Sequence, residues 1–207
     1  MKKPKTPTNQ RDSRQPSIFK NPQEAALNMG LVGITSLFVA LTAAYLFSAP
    51  DWSWKQFSFP KLFLVSTLMI VASSWTLHKA VQAFNNDDEK SLKKMLTFTV
   101  ILALGFVVTQ FLGWGELRSE GIFVAGKPDG SYLYLISGLH ALHVIGGIIP
   151  LGYYYFTTLK KLKDPVKSLL FITDENYKRK FDLLERYWHF VDILWIYLLF
   201  FFLFNHL

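Results

Sequence analysis

The sequence has no cysteine. That absence excludes disulfides, iron–sulfur clusters, thiolate-bound copper and covalently attached c-type haem. Charge is also scarce: Asp, Glu, Lys and Arg make up 18% of the 207 residues, where soluble domains average about 25%. No nucleophile sits beside a base in a recognisable motif, and no zinc-protease signature occurs. Glycine gathers in GLHALHVIGG, residues 138–147. This stretch lies inside an apolar run and follows no strand, so it is not a nucleotide-binding loop.

Apolar side chains are abundant: 51% of residues are hydrophobic and 16% aromatic, with 19 Phe. They come in five blocks, approximately 27–49, 60–82, 92–114, 131–157 and 186–206. Each is long enough to cross about 30 Å of hydrocarbon as a helix. The expected fold class is therefore all-α, a polytopic bundle of five transmembrane helices over residues 27–207. Residues 1–26 read as a basic tail, without the apolar core or cleavage site of a signal peptide. The stretch 158–185 reads as a loop. Pro150 and Gly138, Gly146, Gly147 and Gly152 interrupt the fourth block, which membrane helices tolerate. Trp52, Trp54, Trp114 and Trp188 fall at expected span ends and read as interfacial anchors.

Five spans put the termini on opposite sides. With the tail, the 83–91 loop and the 158–185 loop on one side, 18 of the 22 Lys and Arg residues lie there; only Lys55, Lys61, Arg118 and Lys127 lie opposite. The positive-inside rule then places the N-terminus inside and the C-terminus outside. This asymmetry accounts for the net charge of +7 and the pI near 9.5. No basic patch is left to suggest a nucleic-acid partner.

Ionisable residues in lipid are costly, and each needs protein, water or a partner to face. His140 and His143 share one face of the fourth span, about 13 and 18 Å deep. Glu185, His189 and Asp192 form a stripe at i, i+4, i+7 within the first two turns of the fifth block. His78 lies near the inner end of the second span and Gln110 near the end of the third. Three readings stand. The histidines could ligate a metal or haem. The fifth-block stripe could carry protons. The set could instead hydrogen-bond helices together, the reading physics favours for His140, His143 and His189. For His78 an interfacial position is the simpler account. Two His on adjacent turns of one helix can share a small ion, but they cannot approach a haem from both sides.

Four stretches carry a family resemblance. YWHFVDILW, residues 187–195, resembles the last-helix signature of subunit III of the haem–copper terminal oxidases. SGLHALHVIGG (137–147), LMIVASSWTLHKA (68–80) and GFVVTQFLGW (105–114) resemble that family's preceding helices, in family order. The resemblance implies a five-helix form of a seven-helix fold, with a lipid-holding cleft. It implies a chain without redox centres and with no metal of its own. Haem and copper would reside in partner subunits I and II, with subunit IV a further partner, and phospholipid would be bound. It further implies a bacterial cytoplasmic-membrane cytochrome c oxidase of aa3 or caa3 type, able to join a quinol:cytochrome c oxidoreductase in a supercomplex. Such an enzyme reduces oxygen to water and translocates protons, and this subunit supports proton uptake and stability.

On that resemblance Glu185, His189, Asp192, His140, His143, His78 and Gln110 form a structural polar network. The family's Ser-Glu pair in the first helix is replaced by Gly33 and Ile34, and no acid occurs between Glu24 and Asp51. Alternatives are subunit III of a quinol oxidase, an accessory subunit of a nitric oxide reductase, a b-type haem membrane cytochrome using His140 or His143 with His78 or His189, and a proton-coupled transporter. The transporter reading lacks the paired interrupted helices of inverted repeats.

Overall fold

A computed structural model describes residues 22–48, 61–124 and 128–206. Most of the expected tail, and Trp52 and Trp54, lie outside the described residues. Six helices follow in order: α1 (Pro22–Phe47), α2 (Lys61–Asn85), α3 (Glu89–Ser119), α4 (Pro128–Lys161), α5 (Pro165–Ile172) and α6 (Glu175–His206). Among the described residues all regular structure is helical. α1, α2, α3, α4 and α6 are long and apolar enough to cross a membrane, which matches the five expected spans.

Two differences appear between 158 and 185. This stretch is not a loop: α4 continues to Lys161, α5 occupies eight residues, and α6 begins at Glu175. The physical reason is amphipathicity. Tyr177, Phe181, Leu184 and Trp188 recur at helical spacing and pack into the core, while Lys178, Arg179 and Lys180 stay outside. Consequently Glu185 lies about three turns into α6 and Asp192 about five.

Helix ends follow local rules. α2 stops in a Schellman turn: the Asp88 N–H reaches Ala83 O at 2.9 Å and the Asp87 N–H reaches Phe84 O at 3.4 Å. Asp87 adopts φ 56°, a left-handed conformation that Asp tolerates better than most residues. α3 ends the same way at Gly121, φ 82°. Asp88 caps α3 through Ser91 N, and Asp164 caps α5 through Val166 N. Hydrogen bonding from Ser91 holds the Asp88 carboxyl below the ordinary aspartate range. For Asp164 the Lys167 ammonium does the same, followed by the Val166 N–H.

α2 and α3 form an intimate antiparallel hairpin. A Cβ added to Gly113 would lie 2.4 Å from the Phe63 ring, and one on Gly105 would lie 3.2 Å from Met69 Sδ. Small residues here let the two backbones approach. α6 packs on α2 and α4, α3 on α4, and α1 on α4 and α6. α1 buries only Phe38, Thr42 and Tyr45, one stripe in its second half. Beside its first half a groove of about 470 Å³ is lined by Leu27, Gly146, Pro150, Tyr154, Lys180 and Tyr187, among others. The outer surface carries large apolar side chains such as Val108, Phe111, Leu142, Ile149, Ile193 and Phe200.

Two predictions follow from packing and capping. Gly113→Ala drives a methyl into Phe63, so the substitution is expected to cost about 1–3 kcal/mol. Unfolding of the detergent-solubilised chain measures this, and Phe63→Leu in the same chain should restore part of the loss. The Asp88 and Asp164 carboxyls are depressed in the folded state, so their caps act above the ordinary aspartate pKa and are lost as pH falls through the lowered folded values. Protection of the Ser91 and Val166 amides, relative to intrinsic exchange rates, should fall in that acidic window while mid-helix amides stay protected.

Candidate functional site

The chemistry-bearing side chains gather where α2 meets α6. Four pairs bridge the helices in antiparallel order. Trp195 Nε1 donates to Thr67 Oγ1 at 2.9 Å. Trp188 Nε1 donates to Ser73 Oγ at 3.0 Å. Ser74 Oγ hydrogen-bonds His189 Nδ1. His78 Nδ1 meets Glu185 Oε1 at 2.7 Å. As the α2 number rises from 67 to 78, the α6 number falls from 195 to 185, so one register satisfies all four.

The hydroxyls on α2 suit this task. Thr67 donates to Phe63 O of its own helix at 2.6 Å, and Ser73 donates to Ile70 O at 2.8 Å. Each spends its single O–H on a local carbonyl and keeps lone pairs for an indole N–H across the interface. The same helix reaches α3 from another face. Thr76 Oγ1 lies 2.9 Å from Thr99 Oγ1, and Gln110 Nε2 lies 3.5 Å from Ser66 Oγ.

At the charged end of the ladder, Glu185 Oε1 also meets His189 Nε2 at 3.4 Å. His78 Nε2 lies 2.9 Å from Gln82 Nε2. One ligand-type atom from each of His78, Glu185 and His189 falls within 4.8 Å of the others. Among the described residues, this trio is the group of side chains that could hold a small ion.

Of the seven expected network residues, the structure joins His78, Glu185 and His189. His78 is not merely interfacial, because it ties α2 to α6. Asp192 is buried, and neither carboxylate oxygen makes a hydrogen bond, although Ser74 and His189 are polar neighbours. His140 is fully buried, and both its ring nitrogens lack partners. It works by packing: its ring stacks on Trp195 at 5.1 Å and meets the edges of Phe38 and Phe106 at 6.3 and 6.2 Å. That aromatic enclosure leaves no room for a porphyrin at its nitrogens. His143 Nδ1 turns back to Leu139 O of its own helix at 2.8 Å, and its carbonyl accepts from Tyr187 Oη at 2.9 Å. Gln110 holds only the long contact to Ser66, and its Oε1 is unpaired.

Trp188 is the clear correction. It is 1% exposed and no interfacial anchor. α6 starts thirteen residues before it, and Gly147 leaves a slot for its ring: a Cβ there would lie 3.1 Å from Trp188 Cζ3. Trp114 is also engaged, donating to Ser137 Oγ at 3.1 Å. The hydroxyl residues Thr67, Ser73 and Ser74 escaped the sequence reading because hydroxyls in apolar helices ordinarily bond their own backbone. The signal available was the i, i+7 spacing of Thr67 and Ser74 on the α2 face that ends at His78.

The Ser73–Trp188 bond predicts coupling. Ser73→Ala and Trp188→Phe should each destabilise the chain, and the double variant should recover about 1 kcal/mol of interaction. Unfolding in mixed micelles gives the four corners of the cycle. Strict additivity would show that the bond contributes nothing.

Known proteins are similar in sequence to this chain. A sequence model of the family described as "Cytochrome c oxidase subunit III" matches residues 31–206. A relative from Mycobacterium tuberculosis (strain ATCC 25618 / H37Rv), "Probable cytochrome c oxidase subunit 3", is 32% identical over 130 residues, 63% of this chain and 59% of the relative. One of the same printed name from Nocardia farcinica is 32% identical over 136 residues, 66% of this chain and 62% of the relative. "Cytochrome c oxidase subunit 3" of Synechocystis sp. is 27% identical over 175 residues, 80% of this chain and 68% of the relative. The chain thus spans less than two thirds of the length of the Mycobacterium and Nocardia relatives. With the family match covering the four transmembrane helices α2, α3, α4 and α6 and most of α1, the chain belongs to the cytochrome c oxidase subunit III family.

Proposed function

We propose that this chain is a redox-free third subunit of an aerobic terminal oxidase, a cytochrome c oxidase of aa3 or caa3 type. Haem and copper reside in subunits I and II, which reduce oxygen to water and move protons. The observation that carries this reading is how the polar residues are used. Thr67, Ser73, Trp188 and Trp195 are spent on bonds between two helices. His140 is enclosed by aromatic rings. A chain that ran redox chemistry would keep its ligands convergent on an open cavity.

In this reading the subunit lies in a bacterial cytoplasmic membrane with its N-terminus inside, as the basic asymmetry favours. Its partners are subunits I and II, with subunit IV and a quinol:cytochrome c oxidoreductase as further neighbours. Phospholipid occupies the groove beside the first half of α1. There Leu27, Pro150 and Leu184 offer an apolar wall, and Lys180 offers a cation at headgroup level. Support of proton uptake does not pass through α1. Its one acid is Glu24, in the first turn, and Gly33 and Ile34 follow where the family carries Ser and Glu.

Deletion of the gene in its native host tests the proposal. The oxidase purified without this chain should keep its haem spectrum and most of its initial rate, while its activity decays several-fold faster during turnover. An unchanged turnover lifetime would overturn the supporting role. A stoichiometric Soret band in the purified chain alone would overturn the redox-free reading.

A further inference from the structure

The geometry points to a binding site for one divalent transition-metal ion of the zinc class, formed by His78 Nδ1, Glu185 Oε1 and His189 Nε2 and clamping α2 to α6. The site is built from this chain's residues alone and does not depend on the oxidase reading.

Three observations carry the inference. The first is the donor set. Two imidazoles and one carboxylate are the ligands that protein zinc sites with an open fourth position commonly use. One donor atom from each of the three residues lies within 4.8 Å of the others. A tetrahedral ion with ligands near 2.0–2.1 Å separates adjacent donors by about 3.4 Å. His189 Nε2 and Glu185 Oε1 stand 3.4 Å apart already. His78 Nδ1, 2.7 Å from the same oxygen, need withdraw by less than about 1 Å.

The second is the outer shell. Metal-bound imidazoles ordinarily donate their remaining N–H to a fixed acceptor, which sets tautomer and ring orientation. Both rings have such a neighbour on the far nitrogen: Gln82 beside His78 Nε2 and Ser74 beside His189 Nδ1. Without metal, the N–H of each ring points at Glu185. With metal, each ring takes the other tautomer and points its N–H outward. Gln82 then turns its amide to offer Oε1, and Lys79, now 3.1 Å from that oxygen, lets go. The Ser74 hydroxyl turns from donor to acceptor. No proton is lost when both imidazoles start neutral.

The third is access. The His78 side chain is 50% exposed and that of His189 37%, while Glu185 is 16% exposed. The carboxylate sits at the back and the imidazoles at the rim. That leaves one face of the trio uncovered by this chain, with space for a fourth ligand. The trio lies at the charged end of the α2–α6 ladder, so an ion there joins the two helices at the level where they have no indole–hydroxyl bond.

The test uses the untagged full-length chain in detergent, stripped of metal and titrated with Co2+. We expect one Co2+ per chain, visible ligand-field bands of a four-coordinate site, and loss of those bands on adding Zn2+. His78→Ala and Glu185→Gln should each weaken binding at least tenfold. Gln82→Ala should weaken it about 10-fold through the outer shell alone. Gln82 lies on the outside of α2, so that variant keeps the fold, as helical circular dichroism would confirm. Absence of ligand-field bands in the unaltered chain would overturn the site. So would bands of equal strength in His78→Ala and Glu185→Gln.

Discussion

The structure depends on one constraint: a hydroxyl on a membrane helix can satisfy its own donor locally and still accept from a neighbour. Without water, helices gain little from apolar contact with one another, because lipid is equally apolar. Close packing and interhelical hydrogen bonds must set which helices meet and in what register. α2 supplies both. Its Thr67 and Ser73 bond their own carbonyls and accept indole N–H groups from α6, while Phe63 fills the space that Gly113 of α3 leaves open. The hairpin and the ladder fix α2, α3 and α6 as one unit. α4 joins it through the Gly147 slot, the Trp114–Ser137 bond and Tyr187.

This arrangement explains why the YWHFVDILW stretch combines ionisable residues with tryptophan. Trp188, His189 and Trp195 are the three α6 side chains that reach α2 hydroxyls, and Glu185 stands one turn before them. Helical spacing puts 185, 188, 189, 192 and 195 on one face. The face is polar because α2 opposite it is polar. Asp192 belongs to that face and is buried, with neither carboxylate oxygen hydrogen-bonded and with Ser74 and His189 as polar neighbours.

Much of the fold was legible in the amino-acid order. Five apolar blocks gave five spans, because block length against bilayer thickness is a direct physical measure. The i, i+4, i+7 stripe gave the polar face of α6. The pairing was not legible. Whether Ser73 meets Trp188 or only its own backbone depends on the register between helices more than a hundred residues apart, and nothing local encodes that. The start of α6 was missed for a different reason. Residues 175–185 are too charged to resemble a span, yet Phe181 and Leu184 recur at helical spacing and are buried, Phe181 against Phe84 and Tyr154. Apolar block length measures where a helix sits in lipid, not where it ends.

α1 shows what the same constraint does when it is relaxed. It offers no indole acceptor and no glycine slot; Thr42 and Ser48 reach tyrosines, Tyr197 and Tyr132, at 3.0 and 2.9 Å. Phe38 and Tyr45 anchor it by ring packing against α4 and α6. All of these contacts lie in its second half. The first half faces a groove closed on the other side by Pro150, which cannot donate to the α4 ladder, and by Gly146, which has no side chain. The first half of α1 thus borders an apolar groove, while its ring packing lies in the second half. An acid at Gly33 would stand on an outer face of α1 with nothing of this chain within 4 Å of its Cβ, and the helix carries none there.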